Sequence, residues 1–117
     1  MLPPFWRRAE ISVATYVRSL GYRLVASDFR VKEGEVDLIA WDGDVLVFIE
    51  VKSRKNAEAP EAAVGLTKRR RVIGAARVYI ARHRLHDKTY RFDIVAVIEA
   101  DGKSPTYRLF RDAFRRK

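Results

Sequence analysis

The chain has 117 residues, 48% of them hydrophobic, and carries 24 basic against 15 acidic side chains, a formal net charge of +9 at pH 7. This length and composition predict a single folded domain over residues 1–117 and exclude a disordered chain. The absence of cysteine excludes disulfides and thiolate zinc sites. The charge favours a polyanionic partner, nucleic acid before an anionic membrane surface. A highly charged protein without such a partner is the alternative.

Nothing in the sequence indicates a membrane segment. No stretch approaches the roughly 20 apolar residues that span a bilayer, and residues 1–8 lack the apolar core of a signal peptide. We therefore expect a cytoplasmic protein that does not enter the membrane. The two histidines, His83 and His86, are too few for a histidine-rich metal site, and no small-molecule cofactor is expected.

The first predicted element is a helix. Between Phe5 and Leu20 apolar residues recur every three or four positions, the spacing of one face of an amphipathic helix. Gly21 follows where a glycine commonly ends a helix. Glu10 lies at the edge of the apolar face, and taken alone its carboxylate is interpreted as solvated. Residues 22–29 have the composition of a first strand.

The rest of the chain is organised around residues 34–52, which read GEVDLIAWDGDVLVFIEVK. Two apolar runs, residues 35–41 and 45–51, flank the turn Asp42-Gly43-Asp44. Asp-Gly between two such runs is a strong hairpin signal, because the turn needs residues that tolerate positive φ. The second run is apolar on both faces, which is typical of a strand in the middle of a sheet.

Three charged residues interrupt this apolar pattern. Glu50 and Lys52 continue one face of the second strand, and Asp37 lies on the neighbouring strand. Burying even a neutral polar group without a partner costs about 2–7 kcal/mol, so these charges either form a buried ion pair or bind a metal. Two carboxylates favour Mg²⁺ or Mn²⁺, with the carbonyl of Val51 as a further oxygen ligand. Such a metal acidifies water and neutralises charge on a phosphate, and a nearby lysine helps to position the reacting groups.

A loop and a second helix follow. Residues 53–65 break the strand pattern, and Thr67 is the expected N-cap of a helix over residues 68–82. The first turn of this helix carries four basic residues, Lys68, Arg69, Arg70 and Arg71. They oppose the helix dipole, which favours anions at this end, and such departures often mark function. We interpret them, with Arg54, as contacts to a nucleic-acid backbone; a solvated basic face is the alternative.

Residues 90–98 are predicted to form a fourth strand, parallel to the third because a helix intervenes. Asp93 within it is interpreted as structural. Residues 106–110 are expected to be a short edge strand, followed by a basic tail anchored by Phe114. The order α-β-β-β-α-β, with a final short strand, predicts an α/β fold in which helices flank a central mixed sheet.

Together these segments resemble the PD-(D/E)XK nuclease superfamily and, more narrowly, the YraN-like family of uncharacterised proteins related to archaeal Holliday-junction resolvases. The resemblance extends from about residue 5 to residue 110 and is carried by Ala9-Glu10, residues 20–22, 34–40 and 47–54, Lys68-Arg69-Arg70 and residues 91–97. Gly34 and Glu35 belong to the motif without a definite role. Val36 replaces the superfamily's proline before the aspartate. The resemblance implies a restriction-endonuclease-like αβββαβ core.

The resemblance also implies roles for individual residues. Asp37 and Glu50 would bind the metal, and Lys52 would be the catalytic lysine. Glu10, on the first helix, would hydrogen-bond a water of the metal site. Lys68 stands where related nucleases place a lysine or glutamine that faces the active site.

The activity implied is that of a metal-dependent endonuclease that hydrolyses DNA phosphodiester bonds, with branched or single-stranded DNA as candidate substrates. Related resolvases act as dimers, so the resemblance implies a homodimer, although the sequence itself shows no dimer seam. The alternative is a nucleic-acid-binding module of recombination, repair or uptake whose chemistry is weak or lost. The intact set of two carboxylates and a lysine favours the enzyme, because a degenerate nuclease would often have lost one member.

Overall fold

The computed structural model describes residues 8–55 and 65–115. Its elements are α1 (Arg8–Ser19), β1 (Arg23–Val31), β2 (Gly34–Asp42), β3 (Val45–Lys55), α2 (Leu66–Arg82), β4 (Tyr90–Glu99) and β5 (Thr106–Phe114). This confirms the predicted element order, with a last strand that is longer than expected. The predicted start of the first helix near Phe5 lies outside the described residues.

The five strands form one mixed sheet in the order β1-β2-β3-β4-β5. Strands β3 and β4 are parallel, whereas the other neighbouring pairs are antiparallel. The parallel pair confirms the predicted crossover through α2, since parallel neighbours cannot be joined by a tight turn. Strand β3 is therefore central, and Glu50 lies on it directly beside Ile94 of β4.

One helix packs on each face of the sheet, and β3 has apolar side chains on both faces for these helices to cover. Leu46 and Phe48 belong to the core cluster that α2 completes. Val47 and Ile49, which alternate with them, belong to the cluster that α1 completes. All four side chains are fully buried, which confirms the prediction of a central strand with two covered faces.

The helix ends differ in how well the sequence predicts them. Gly21 has a φ of 95° and follows α1, as expected of a glycine that ends a helix. The prediction of Thr67 as N-cap is wrong: α2 begins two residues earlier than predicted, at Leu66, and its N-cap is Gly65, which offers no side-chain hydrogen bond. Neither α1 nor α2, the helices within the described residues, is long and apolar enough to cross a membrane.

Two glycines bring the β1–β2 turn against α2. A Cβ atom on Gly34 would lie 1.7 Å from the carbonyl oxygen of Arg71, and one on Gly74 would lie 2.3 Å from that of Glu33. Only glycine permits such an approach of two backbones. Gly34 thus does more than let the chain bend, because this contact fixes the start of α2 relative to β2.

A buried polar network ties the hairpin end of the sheet together. The fully buried carboxylate of Asp93 accepts hydrogen bonds from the Tyr22 hydroxyl, the Arg91 guanidinium and the Asp112 backbone N–H, at 2.9, 2.9 and 3.0 Å. Arg91 also donates to Asp42 beside the turn, at 2.8 Å. Burial lowers the pKa of Arg91, but its bonds to these two carboxylates outweigh that effect and raise it. This network supports the structural interpretation of Asp93.

We expect Gly34→Ala to lower the free energy of unfolding by about 3 kcal/mol, because the added Cβ forces β2 and α2 apart. Urea unfolding followed by circular dichroism measures this change. Gly65→Ala is the matched control, since its Cβ would meet nothing within 4 Å, and its effect should stay below about 1 kcal/mol. Equal stability of the Gly34→Ala variant and the wild type would contradict the close approach.

Candidate active site

Two buried carboxylates stand just beyond the end of the β2–β3 pairing. The paired register of the two strands ends at Leu38 and Ile49, and Asp37 and Glu50 are the next residues along the two strands. Asp37 is only 5% exposed and Glu50 only 4% exposed. The acids that interrupt the apolar pattern of the sequence are therefore both buried where this pairing ends.

Asp37 holds the two separating strands together. The backbone N–H of Val51 donates to Asp37 Oδ2 at 2.8 Å. Because the N–H and C=O of one strand residue point towards the same neighbouring strand, the Val51 carbonyl is also directed to the side of Asp37. The Asp37 carboxylate and the Val51 carbonyl, two of the three oxygen-bearing groups expected to bind a metal, are thus directed into the gap between β2 and β3.

Glu50 has one satisfied oxygen and one unsatisfied oxygen. Its Oε2 lies 2.8 Å from Lys68 Nζ, whereas its buried Oε1 has no hydrogen-bond partner in the part of the chain that the structure describes. A buried carboxylate oxygen without a partner is unfavourable. Hard cations such as Mg²⁺ prefer carboxylate oxygens as ligands.

These donors fit Mg²⁺ or Mn²⁺, because Mg²⁺ is usually held by one or two carboxylates and completes its shell with water and substrate phosphate. The set is a small one. Within residues 8–55 and 65–115 no group of three or more acidic, histidine or cysteine side chains is placed to hold a metal ion. Among the described residues, Asp37, Glu50 and the Val51 carbonyl are the candidate protein ligands.

Helix α2 carries Lys68 to this site and adds a contact that the sequence did not predict. Lys68 Nζ also lies 4.0 Å from Glu35 Oε1. Arg71 approaches the same oxygen at 3.9 Å, and Arg30 approaches the other Glu35 oxygen at 3.7 Å. Glu35 and Glu50 therefore balance the basic start of α2, which explains how this turn tolerates charges that oppose the helix dipole.

Glu10 lies in the first turn of α1 and is only 2% exposed, so the alternative of a solvated carboxylate is wrong. Helix α1 runs from Glu10 towards Tyr22, which bonds within the network at the hairpin end. Its first turn consequently lies towards the Glu50 end of the sheet.

The Glu10 carboxylate also acts on a basic residue next to the site. The pKa of Arg30 is raised by three carboxylates, in falling order of effect those of Asp28, Glu35 and Glu10.

Two basic residues continue β3 beyond Glu50. Lys52 and Arg54 follow at alternate positions and so project to the same face of the strand as Glu50. Lys52 is half-buried and Arg54 is exposed. Positive charge therefore extends outwards along the strand from the buried carboxylates.

The helical twist divides the basic start of α2 between two surfaces. Lys68 and Arg71 face the acidic residues of the site. Arg69 and Arg70 line a cavity of about 240 Å³ on another side of the helix, where the Arg69 guanidinium lies 5.8 Å from the ring centre of Phe114. Of the residues expected to contact nucleic acid, Arg69 and Arg70 thus lie apart from Glu50, whereas Lys68 and Arg71 lie beside the acidic site.

Comparison with known proteins shows related sequences of similar length. The family model described as "Uncharacterised protein family UPF0102" matches residues 9–97. A UPF0102 protein of Anaeromyxobacter dehalogenans is 40% identical over 110 residues, covering 92% of this chain and 81% of that protein. UPF0102 proteins of Geotalea uraniireducens and Geotalea daltonii are 38% and 37% identical, covering 92% and 90% of this chain and 86% and 84% of theirs. These names state no activity.

We expect Asp37→Ala to lower the free energy of unfolding by about 1–3 kcal/mol, because the partly buried Val51 N–H loses its acceptor. Asp37→Asn keeps an oxygen in that position and should stay within about 1 kcal/mol of the wild type. Urea unfolding measures both, with the exposed Asp101→Ala as control. Equal destabilisation by the alanine and asparagine variants would contradict the hydrogen-bond role of Asp37.

Proposed function

The chain belongs to the uncharacterised protein family UPF0102, the YraN family, and we propose that it is a metal-dependent nuclease of the PD-(D/E)XK type. The observation that carries the proposal is the pair of buried carboxylates, Asp37 and Glu50, of which one Glu50 oxygen has no hydrogen-bond partner among residues 8–55 and 65–115. In this proposal α1, β1, β2, β3, α2 and β4 are the αβββαβ elements of a restriction-endonuclease-like core.

Asp37, Glu50 and the Val51 carbonyl would hold Mg²⁺ or Mn²⁺. The bound cation would neutralise charge that develops on the phosphate and make water a better nucleophile at neutral pH. The protein would supply rigidity: the Val51–Asp37 hydrogen bond fixes one ligand, and the central position of β3 fixes the other. Such fixed placement is what makes electrostatic stabilisation effective in catalysis.

Three further residues would act on substrate and water. Lys52 lies on the same face of β3 as Glu50, where its ammonium would stabilise negative charge on the phosphate oxygens. Glu10, buried at the same end of the sheet, would accept a hydrogen bond from water and orient it. Before metal binds, Lys68 would balance the charge of Glu50.

DNA is the proposed substrate because the chain carries a net charge of +9 and Mg²⁺ chemistry suits phosphodiesters. Arg54, at the outer part of β3, would contact the phosphate backbone next to the carboxylates. Arg69, Arg70 and Arg71 would provide further backbone contacts, which position a nucleic acid without reading its sequence. Branched and single-stranded DNA are the candidate forms of the substrate.

A second candidate function is a nucleic-acid-binding module without catalysis. The ion pair between Lys68 and Glu50 favours it, since an internal ammonium already neutralises a carboxylate that would otherwise need a cation. Such a module would bind DNA in a salt-dependent manner without any need for metal.

Cleavage of branched, single-stranded and duplex DNA by the purified protein, with Mn²⁺ or with a chelator, tests the proposal. We expect the wild type to cleave at least one substrate only with metal, and Asp37→Asn and Glu50→Gln to reduce the rate by at least about 100-fold. The variants should still bind DNA, because the basic residues are unchanged.

Glu99→Gln is the matched control, since Glu99 is an exposed acid on the neighbouring strand β4, and it should cleave like the wild type. Cleavage that survives in both Asp37→Asn and Glu50→Gln would overturn the proposed site. Salt-dependent binding by a wild type that cleaves none of the three substrates would favour the binding module.

A further inference from the structure

The ammonium of Lys68 lies between two carboxylates of unequal burial. It is 2.8 Å from Glu50 Oε2 and 4.0 Å from Glu35 Oε1. The side chain of Glu50 is 5% exposed, that of Glu35 is 31% exposed and that of Lys68 is 40% exposed. Lys68 therefore has a flexible, partly exposed side chain. Its ammonium is paired with the buried Glu50 and lies close to the more exposed Glu35.

A cation at Oε1 of Glu50 and the ammonium of Lys68 at Oε2 would repel each other. Both would place positive charge against the same buried carboxylate, where low solvent access strengthens repulsion between like charges. If Lys68 kept its present position, each divalent ion that bound would meet this repulsion. Metal binding is thus favoured by a side-chain arrangement in which the Lys68 ammonium leaves Glu50 and pairs with another acceptor.

Glu35 is placed to accept the displaced ammonium. It already lies within 4.0 Å of Lys68 Nζ, so a change in the flexible lysine side chain is enough to move the ion pair. Arg30 and Arg71 approach its two oxygens at 3.7 and 3.9 Å, and the tight contact of Gly34 with Arg71 fixes the adjacent backbone. Glu35 is therefore an anchored acceptor beside the site.

We propose that Glu35 is a positioning residue that receives Lys68 from Glu50 when a divalent cation binds. The inference rests on the proposed function, since it takes Asp37 and Glu50 as the metal ligands. Lys68 then acts as an internal counter-ion that keeps Glu50 neutralised before metal arrives. Metal affinity depends on both Lys68 and Glu35, although neither residue is a ligand, because the binding of metal and the movement of Lys68 are linked.

Calorimetric titration of Mn²⁺ into four forms of the full chain, without DNA, tests this linkage. We expect Lys68→Met to lower the Kd about tenfold, because the competing charge is gone, and Glu35→Gln to raise it about tenfold, because Lys68 loses its alternative acceptor. In the double variant the Glu35→Gln change should alter the Kd of Lys68→Met by less than about threefold, since no ammonium remains to be received.

Two controls remove the same charges elsewhere. Lys55→Met deletes a lysine of an exposed ion pair with Asp101, and Glu99→Gln deletes an exposed carboxylate. Each should leave the Kd within about threefold of the wild type, because exposed charges are screened. Lys68→Gln, which keeps a hydrogen-bond donor for Glu50 without the charge, should match Lys68→Met and serves where the methionine variant does not fold.

Three results overturn the inference. One is a Kd that Lys68→Met and Lys68→Gln leave unchanged relative to Lys55→Met, which would show that Lys68 does not compete with metal. Another is an equal effect of Glu35→Gln with and without Lys68, which would show that Glu35 acts only as a remote charge. In both cases Mn²⁺ binding by the wild type leaves the proposed function standing. The third is the absence of Mn²⁺ binding by every form, which would remove the metal site itself.

Discussion

The burial of two carboxylates at one point of the central sheet is the constraint on which the rest of the site depends. Removing an ionised carboxylate from water costs several kcal/mol unless charges and hydrogen bonds compensate it. Asp37 is compensated in part by the N–H of Val51 and Glu50 in part by Lys68. The close contact of Gly34 with α2 sets the position of the helix that carries Lys68. The charge compensation of Glu50 therefore depends on this backbone packing.

Much of this arrangement could be predicted from the sequence, because local patterns determine it. Two apolar runs around Asp42-Gly43-Asp44 predicted the hairpin, and a run that is apolar on both faces predicted the central position of β3. The charges that interrupt the apolar pattern indicated Asp37 and Glu50, and both are buried directly after the last β2–β3 pair, Leu38 and Ile49. A helix between β3 and β4 predicted the parallel pairing.

What the sequence did not predict depends on contacts between distant segments. The last strand continues to Phe114, whose ring stacks on that of Phe92 with the ring centres 5.0 Å apart, a contact between segments far apart in the chain. The role of Glu35 depends on how closely α2 approaches the start of β2. The N-cap of α2 was assigned to Thr67 on side-chain chemistry, whereas the backbone begins the helix after Gly65. By contrast, the separation of Lys68 and Arg71 from Arg69 and Arg70 follows from helical periodicity, so it could have been predicted from the sequence.

Locating a bound metal ion is the most direct test of this site. X-ray diffraction from crystals soaked in Mn²⁺, measured on both sides of the manganese absorption edge, locates the ion without any assay of activity. We expect one anomalous peak within coordination distance of the carboxylate oxygens of Asp37 and Glu50, beside the Val51 carbonyl. Crystals that bind Mn²⁺ only elsewhere, with Lys68 still paired to Glu50, would show that Asp37 and Glu50 do not form a metal site.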